Sequence, residues 1–502
     1  MLITLALVAG RIAVVRSPDG RTAFLSANDR SRWATVASLV EDGTYRIDRL
    51  VEITDPISRH VRPFDSIDKV MHVGTDGRRH SYSSKPPLLA TMVAGVYWPL
   101  HRMTGLTLTR YPIYVPRMLL AVVNLPVLLL LCWATWRSIE AEVQDSWTRL
   151  WLALGICLGT MLTPMAVSLN NHLPAAAATA VVLWIYVGGT RHRGAVFLAG
   201  AAAALAVAFE LPSLAMAGCW TVLFLRRRCL SFLAGAALVA AAFFGTNWIA
   251  HRSWRMPYAH RGEGEVIATV PTADWGDDLD RLVGEEVSVP GMGRMRIDRS
   301  DEMGRWRLVD GADWYGVGQV GREYEVRRWD DWYEYPGSYW QDGRRVGVDR
   351  GEPSRLVYAM HLLVGHHGVL SLTPVWWWWV PGCVVLWNAR RWRGVMTAIV
   401  VVTCVCVAFY VARPLIDRNY GGVSSCFRWL LWMVPLWWFV AAAGVSRWTE
   451  ADRHPSVGIW RLMSSGLLMA SVFSVAIALD NPWVPPWIER AGRYFGWFGG
   501  GG

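Results

Sequence analysis

A chain of 502 residues that is 53% hydrophobic and only 18% charged carries more apolar sequence than one soluble core buries, which excludes an ordinary soluble domain. The net charge of +10 would suggest nucleic acid in a soluble protein, but here the basic residues fall in short connections between apolar runs, so no nucleic-acid partner is expected. Of the eight cysteines, Cys132, Cys157, Cys219, Cys383, Cys404 and Cys406 lie within apolar runs, Cys229 at the edge of one, and the single outward thiol, Cys426, has no partner for a disulfide.

In chain order, residues 1–15 form a short apolar stretch carrying Arg11, read as a helix whose start is truncated. Ten further runs, at 118–135, 150–167, 174–187, 195–208, 211–225, 230–249, 369–387, 395–411, 429–445 and 462–479, mostly approach the length that crosses hydrocarbon as a helix. The pattern predicts an all-α polytopic membrane protein with about 10–12 transmembrane helices. Arg137, the Arg191-His192-Arg193 triplet, Arg226 to Arg228, Arg390, Arg391, Arg393, Arg447 and Arg453 occupy the short connections. Placing these on the cytoplasmic side puts residues 17–116, 170–173, 251–365 and 413–427 outside. The parity closes if Pro86 to Leu100 lies at the interface and does not cross. The expected organisation is therefore a membrane module, 1–250, with its first outside loop at 17–116. An outside (periplasmic) loop or small α/β or β domain follows at 251–365, and C-terminal transmembrane helices at 366–502. A multi-pass protein of the cytoplasmic (inner) membrane is expected, with membrane lipids around it. No internal repeat is visible.

The first outside loop carries three short motifs. It opens with Ser26-Ala27-Asn28-Asp29-Arg30-Ser31-Arg32-Trp33-Ala34, continues through Glu41-Asp42-Gly43-Thr44-Tyr45, and ends in Tyr82-Ser83-Ser84-Lys85-Pro86-Pro87-Leu88-Leu89. This arrangement resembles the GT-C superfamily of polyprenyl-phosphate-dependent glycosyltransferases, especially the branch of protein O-mannosyltransferases and the lipid A aminoarabinose transferase. Asp29, Arg32, Trp33 and Ala34 fit that branch's first motif and Lys85 to Leu88 its last, while Arg30 stands where relatives often have a second acid. The resemblance is strongest over residues 20–135. It implies a GT-C-like bundle with two large non-cytoplasmic loops. It also implies an inverting transferase that takes a sugar from a polyprenyl-phosphate donor to a lipid, glycan or protein acceptor at the outer face of the cytoplasmic membrane.

Such a transfer needs a base for the acceptor hydroxyl and cations for the departing phosphate. The resemblance makes Asp29 the candidate base, although the same Asp reads as a cap for a helix beginning near Ser31. Lys85 has an argument of its own. Only two lysines, Lys69 and Lys85, stand against 48 arginines, so a retained Lys before two prolines hints at a need for a compact ammonium beside a lipid phosphate. Snorkelling at a helix end explains it equally. Arg32 is a second phosphate candidate or an interfacial anchor. Glu210 lies between two apolar runs, where an acid is costly and a functional candidate, and His172 follows in the Asn170-Asn171-His172 turn as a phosphate or sugar contact or a plain loop His.

The second loop supplies Tyr339, Trp340, Asp349 and Glu352, residue types that stack on sugars and accept hydroxyl hydrogen bonds, suited to an acceptor site or a lid. His361, His366 and His367 form a cluster in which phosphate binding is favoured over metal, because no Cys or acid stands at ligand spacing. No cofactor is certain, and a divalent metal ion stays open. Trp376 to Trp379 read as an interfacial belt. Arg418, with Arg428, would complete an anion site in the 413–427 loop. No Walker motif, dinucleotide fingerprint or nucleophile elbow is present, which argues against a transport ATPase or a soluble-nucleotide transferase. Two rivals remain: a lipid-linked glycan transporter or flippase, and a catalytically inactive membrane scaffold of the same fold.

Overall fold

The computed structural model describes residues 1–300, 305–311, 313–341, 343–450 and 456–497. Arg453, one of the basic connection residues, lies outside the described residues. Among those described, six helices are long and apolar enough to cross a membrane: Tyr114–Glu142, Ser146–Met165, Cys229–His251, Arg393–Ala412, Arg428–Thr449 and Val457–Ala478. Four shorter apolar helices, Leu2–Val14, His172–Val187, Arg193–Phe209 and Leu211–Phe224, accompany them. The run at 369–387 departs from expectation. It breaks into helix Val369–Leu372, a 3-10 segment Pro374–Trp378 and helix Trp379–Asn388. Pro374 has no N–H to continue the helix, and it bars its predecessor Thr373 from helical geometry. Of the segment Pro86 to Leu100, all but Pro86 lies in an 18-residue helix, Pro87–Thr104, that contains Pro99.

The chain divides into two compact units, each discontinuous in sequence: Met1–Asp29 with Gly95–Phe243 and Gly347–Gly502, and Arg30–Ala94 with Phe244–Val346. At the centre of the first unit stands helix His172–Val187, buried at most of its positions. It packs on helices Tyr114–Ile139, Arg193–Phe209 and Val434–Thr449. Its Ala175 to Ala178 and Ala180 keep side chains small, so neighbouring backbones approach closely, the usual solution where lipid offers no hydrophobic drive for helix association. Gly200 and Gly235 make a reciprocal version of the same device. A Cβ on Gly200 would run into the Phe232 carbonyl, and one on Gly235 into the Phe197 carbonyl. Trp376 and Trp378 are buried, Trp376 with its ring 5.4 Å from Trp437 and 5.1 Å from Trp438, so packing and not an interfacial belt accounts for these two.

The second unit holds two antiparallel sheets. The small one pairs β1 (Lys69–Val73) with β2 (Arg79–Ser83). The larger has six strands in the order β3-β8-β7-β6-β5-β4, with β3 Glu263–Pro271, β4 Glu286–Val289, β5 Gly293–Arg299, β6 Trp306–Asp310, β7 Asp313–Val320 and β8 Glu323–Trp329. From β4 to β8 each strand pairs with the next in sequence, and β3 returns to β8. The alternation read in Glu323-Tyr324-Glu325-Val326 is the period-2 pattern of a strand with one face on a core: Tyr324 and Val326 are buried with Val270, Trp275, Ile297 and Leu308. Residues 263–329 thus form a β domain within the loop expected at 251–365.

Candidate functional site

In the first unit, Asp29 sits in the opening turn of helix Ala27–Ala37. The cap of that helix is Ser26, whose Oγ accepts the Asp29 N–H at 3.1 Å. The expectation that Asp29 caps a helix starting near Ser31 is therefore corrected: the helix starts four residues earlier, at Ala27, and Ser26 holds the capping role. Asp29 is fully buried. Its Oδ2 accepts the Leu25 N–H at 2.9 Å and its Oδ1 the Leu169 N–H at 3.1 Å.

Leu169 leads into the turn that carries His172. Asn170 caps the following helix, its Oδ1 accepting the N–H groups of His172 at 3.0 Å and Leu173 at 3.2 Å. His172 is 1% exposed. Its Nδ1 faces Glu210 Oε1, and its Nε2 meets Arg428 Nη1 at 3.0 Å. A guanidinium only donates, so Nε2 accepts and the ring proton sits on Nδ1, directed at the Glu210 carboxylate. Asn171 Nδ2 donates to the same Glu210 oxygen at 2.6 Å. Arg428 donates from Nε to the Gly421 carbonyl at 2.6 Å and lies over the Trp483 ring at 4.8 Å, and Trp483 Nε1 donates to Ser168 Oγ at 2.9 Å. Five segments distant in sequence thus meet around the Ser168 to His172 turn, with Asp29, His172 and Glu210 buried and Arg428 half-buried.

The 413–427 loop lies in the same unit. Arg418 is buried and donates from Nη1 to the Pro353 carbonyl at 2.7 Å. Its own carbonyl accepts the Glu352 N–H at 2.8 Å, and Asn419 Nδ2 reaches Asp349 Oδ1 at 3.4 Å. Asp349 and Glu352 therefore brace this loop. Arg418 Nε, Tyr420 Oη and Ser425 Oγ are buried without a hydrogen-bond partner among the described residues, which marks the loop as one built to receive something polar. An apolar groove lined by Met161, Trp376, Phe427 and Trp437, among others, opens beside His367. His366 and His367 were expected at a phosphate. Instead they face each other and Glu489, which stands 3.7 Å from His366 and 4.0 Å from His367. A carboxylate in that position favours a cation over an anion. His361 stays with the cluster, its ring 3.9 Å from that of His366.

In the second unit, Lys85 Nζ pairs with Asp68 Oδ1 at 3.0 Å, and the other lysine, Lys69, pairs with Asp65 at 2.5 Å. Arg32 is buried. Ser31 Oγ donates to the Asp68 carbonyl at 2.5 Å and shares a hydrogen bond with Ser83 Oγ at 2.7 Å, tying helix Ala27–Ala37 to β2. Tyr339 and Trp340 stack edge to face at 5.2 Å, with Trp340 Nε1 donating to the Ile67 carbonyl at 2.7 Å. Sequence reasoning missed Asn171, Trp483, Asp68 and Glu489. Asn171 sits beside His172 and was open to notice, whereas the other three join the site only through tertiary folding.

No protein-family model matches the chain, and no curated protein matches it. Among solved structures, the apo oligosaccharyltransferase of Archaeoglobus fulgidus is similar at 11% identity and a TM-score of 0.43, over 97% of this chain and 56% of that one. The protein O-mannosyltransferase Pmt1-Pmt2 complex of S. cerevisiae, bound to the sugar donor, is similar at 12% identity and a TM-score of 0.43, over 99% and 92%. The archaeal oligosaccharyltransferase AglB from Archaeoglobus fulgidus, in complex with an inhibitory peptide and a dolichol-phosphate, gives 11%, 0.41, 97% and 56%. The chain thus spans little more than half the length of the archaeal enzyme. At these scores the likeness carries no residue and no activity to this chain.

Proposed function

We propose that this chain is an integral-membrane glycosyltransferase of the GT-C type. It would take a sugar from a polyprenyl-phosphate donor to a lipid, glycan or protein acceptor at the outer face of the cytoplasmic membrane. One observation carries the reading: the Asp29 carboxylate and the buried His172–Glu210–Arg428 network, drawn from separate segments, are built against the same Ser168 to His172 turn. Taking acids out of water beside a membrane is costly enough that such a cluster is a functional candidate.

The proposed reaction is an inverting displacement. The acceptor oxygen attacks the anomeric carbon and its proton passes to Asp29. The bond from that carbon to the phosphate oxygen breaks, and the lipid phosphate leaves with the electron pair. Arg428, held over Trp483 and against His172, would meet the growing phosphate charge, with Arg418 in support. Glu210 orients His172, which in turn sets Arg428. In the second unit, Lys85 and Arg32 retain their proposed role toward phosphate, and Tyr339 and Trp340 theirs toward a sugar.

A second reading is favoured by one specific observation. Asp29 is fully buried and both its oxygens hold backbone N–H groups, as in a structural carboxylate, so an inactive scaffold that binds lipid-linked sugar is the alternative. The test is purified full-length protein supplied with native lipid extract, with polyprenyl-phosphate sugars followed by mass spectrometry and turnover normalised to folded protein. The transferase reading expects consumption, falling by about 100-fold or more in Asp29→Asn. Consumption unchanged in that variant removes Asp29 as the base. Retention of the sugar lipid without consumption by either protein establishes the scaffold.

A further inference from the structure

His366 and His367 close the turn between helices Arg355–Leu363 and Val369–Leu372, and their Nδ1 atoms lie only 2.6 Å apart. Rings of neighbouring residues have no covalent reason to aim the same nitrogen at one point. With both imidazoles neutral, two Nδ1 atoms that close leave room for one proton between them, and the Glu489 carboxylate adds further lone pairs. The pocket is rich in acceptors and poor in donors.

We propose that His366, His367 and Glu489 form a binding site for a divalent cation of the zinc class. The three donor atoms make a triangle with sides of 2.6, 3.7 and 4.0 Å. A point at its centre lies about 2.1 Å from all three, the length of zinc bonds to imidazole nitrogen and carboxylate oxygen. Two nitrogens and one oxygen suit zinc, cobalt or nickel better than calcium or magnesium, which take oxygen sets. Three protein ligands leave a fourth position for water or a substrate oxygen.

The surroundings fit the same reading. His367 also hydrogen-bonds the Ser424 backbone. A backbone partner of this kind is the outer bond that orients a metal-binding His. The second oxygen of Glu489 is held by Arg493 at 2.7 Å, and Tyr420 stacks on His367 at 4.0 Å. Glu489 belongs to the short helix Trp487–Tyr494, so a bound ion would pin this C-terminal segment to the turn. The inference stands apart from the transferase reading and uses none of its residues' chemistry.

The test uses untagged full-length protein in detergent, stripped with EDTA and titrated separately with zinc and cobalt. The expected result is one ion per chain by elemental analysis and visible cobalt absorption showing nitrogen ligands. Affinity is expected to fall at least about tenfold in His366→Ala and in Glu489→Gln, and to persist in His361→Ala, whose ring touches the cluster but supplies no donor. The wild-type cobalt spectrum keeps the question decidable if a variant fails to fold. Stripped wild-type protein that takes up neither ion at micromolar free concentration, or folded variants that bind as tightly as wild type, would overturn the proposal.

Discussion

Replacing Glu210 by Ala removes the acceptor of two buried donors. His172 Nδ1–H loses its partner, and Asn171 Nδ2 keeps only the Phe209 carbonyl at 2.9 Å. Hydrogen bonds to a charged group contribute about 1.5–3 kcal/mol each, so the two together set an expected loss on the order of 3–6 kcal/mol. Because Glu210 is 5% exposed and His172 1%, water cannot replace them without opening the helix ends. Glu210→Gln keeps one acceptor oxygen and should cost less, on the order of 1–2 kcal/mol. The decisive assay is a double-mutant cycle with His172→Ala, read by denaturant unfolding in micelles. A coupling of about 2 kcal/mol between the two positions is expected. Additivity within about 0.5 kcal/mol would refute the network, and with it the claim that Glu210 sets Arg428 through His172.

Two other perturbations test other parts of the fold. His72, on β1, stacks on Tyr82 and Trp332 at 4.1 Å each, and burial drives it down from 6.5 to about 4, against a hydrogen bond to the Val73 backbone that raises it and with smaller repulsion from His260, Arg79 and His80. The folded chain therefore keeps this ring neutral while the unfolded chain takes up a proton below about pH 6.5, so stability should fall as pH drops from 6.5 towards 4, by about 3 kcal/mol in all. Unfolding measured along that pH range should show a shallower decline in His72→Gln, and an identical slope in both proteins would count against the burial. Gly200→Ala should cost about 1–3 kcal/mol by overpacking against Phe232, seen as a lower melting temperature in detergent, whereas Gly218→Ala, with open space around its position, should melt with the wild type.

The membrane class of this chain was readable because apolar runs are a local property: length and hydropathy within one window suffice. The run at 369–387 shows where a window average fails, since Pro374 breaks the backbone while leaving hydropathy high. Asp29, His172 and Glu210 were singled out one by one, each from its neighbours or a resemblance. That the first leans on Leu169 and the other two share a bond depends on how helices pack, which no spacing encodes. The metal reading of His366 and His367 ranked below phosphate because no acid stands at ligand spacing, and the acid arrives from Glu489, far along the chain. Lys85 drew notice by its rarity, but its partner Asp68 lies across a hairpin and had no signature of its own.

The position of Asp29 ties these threads into one constraint on mechanism. The Asp29 carboxylate keeps lone pairs beyond those that hold the Leu25 and Leu169 amides, but it is fully buried, so an acceptor would reach it only if the chain that covers it shifted. Leu25 precedes the Ser26 cap, and releasing it would unwind the start of helix Ala27–Ala37. Leu169 is the freer of the two, because it lies in the turn between helices Leu162–Met165 and His172–Val187, outside either ladder. That same turn holds His172 against Arg428, so phosphate drawing on Arg428 would pull on the peptide that covers Asp29. On the proposed function, donor binding and exposure of the proposed base would then be a single movement of residues 168–172. The coupling follows from the hydrogen-bond connectivity, and a loss of Asp29 function on disrupting His172 would be its signature.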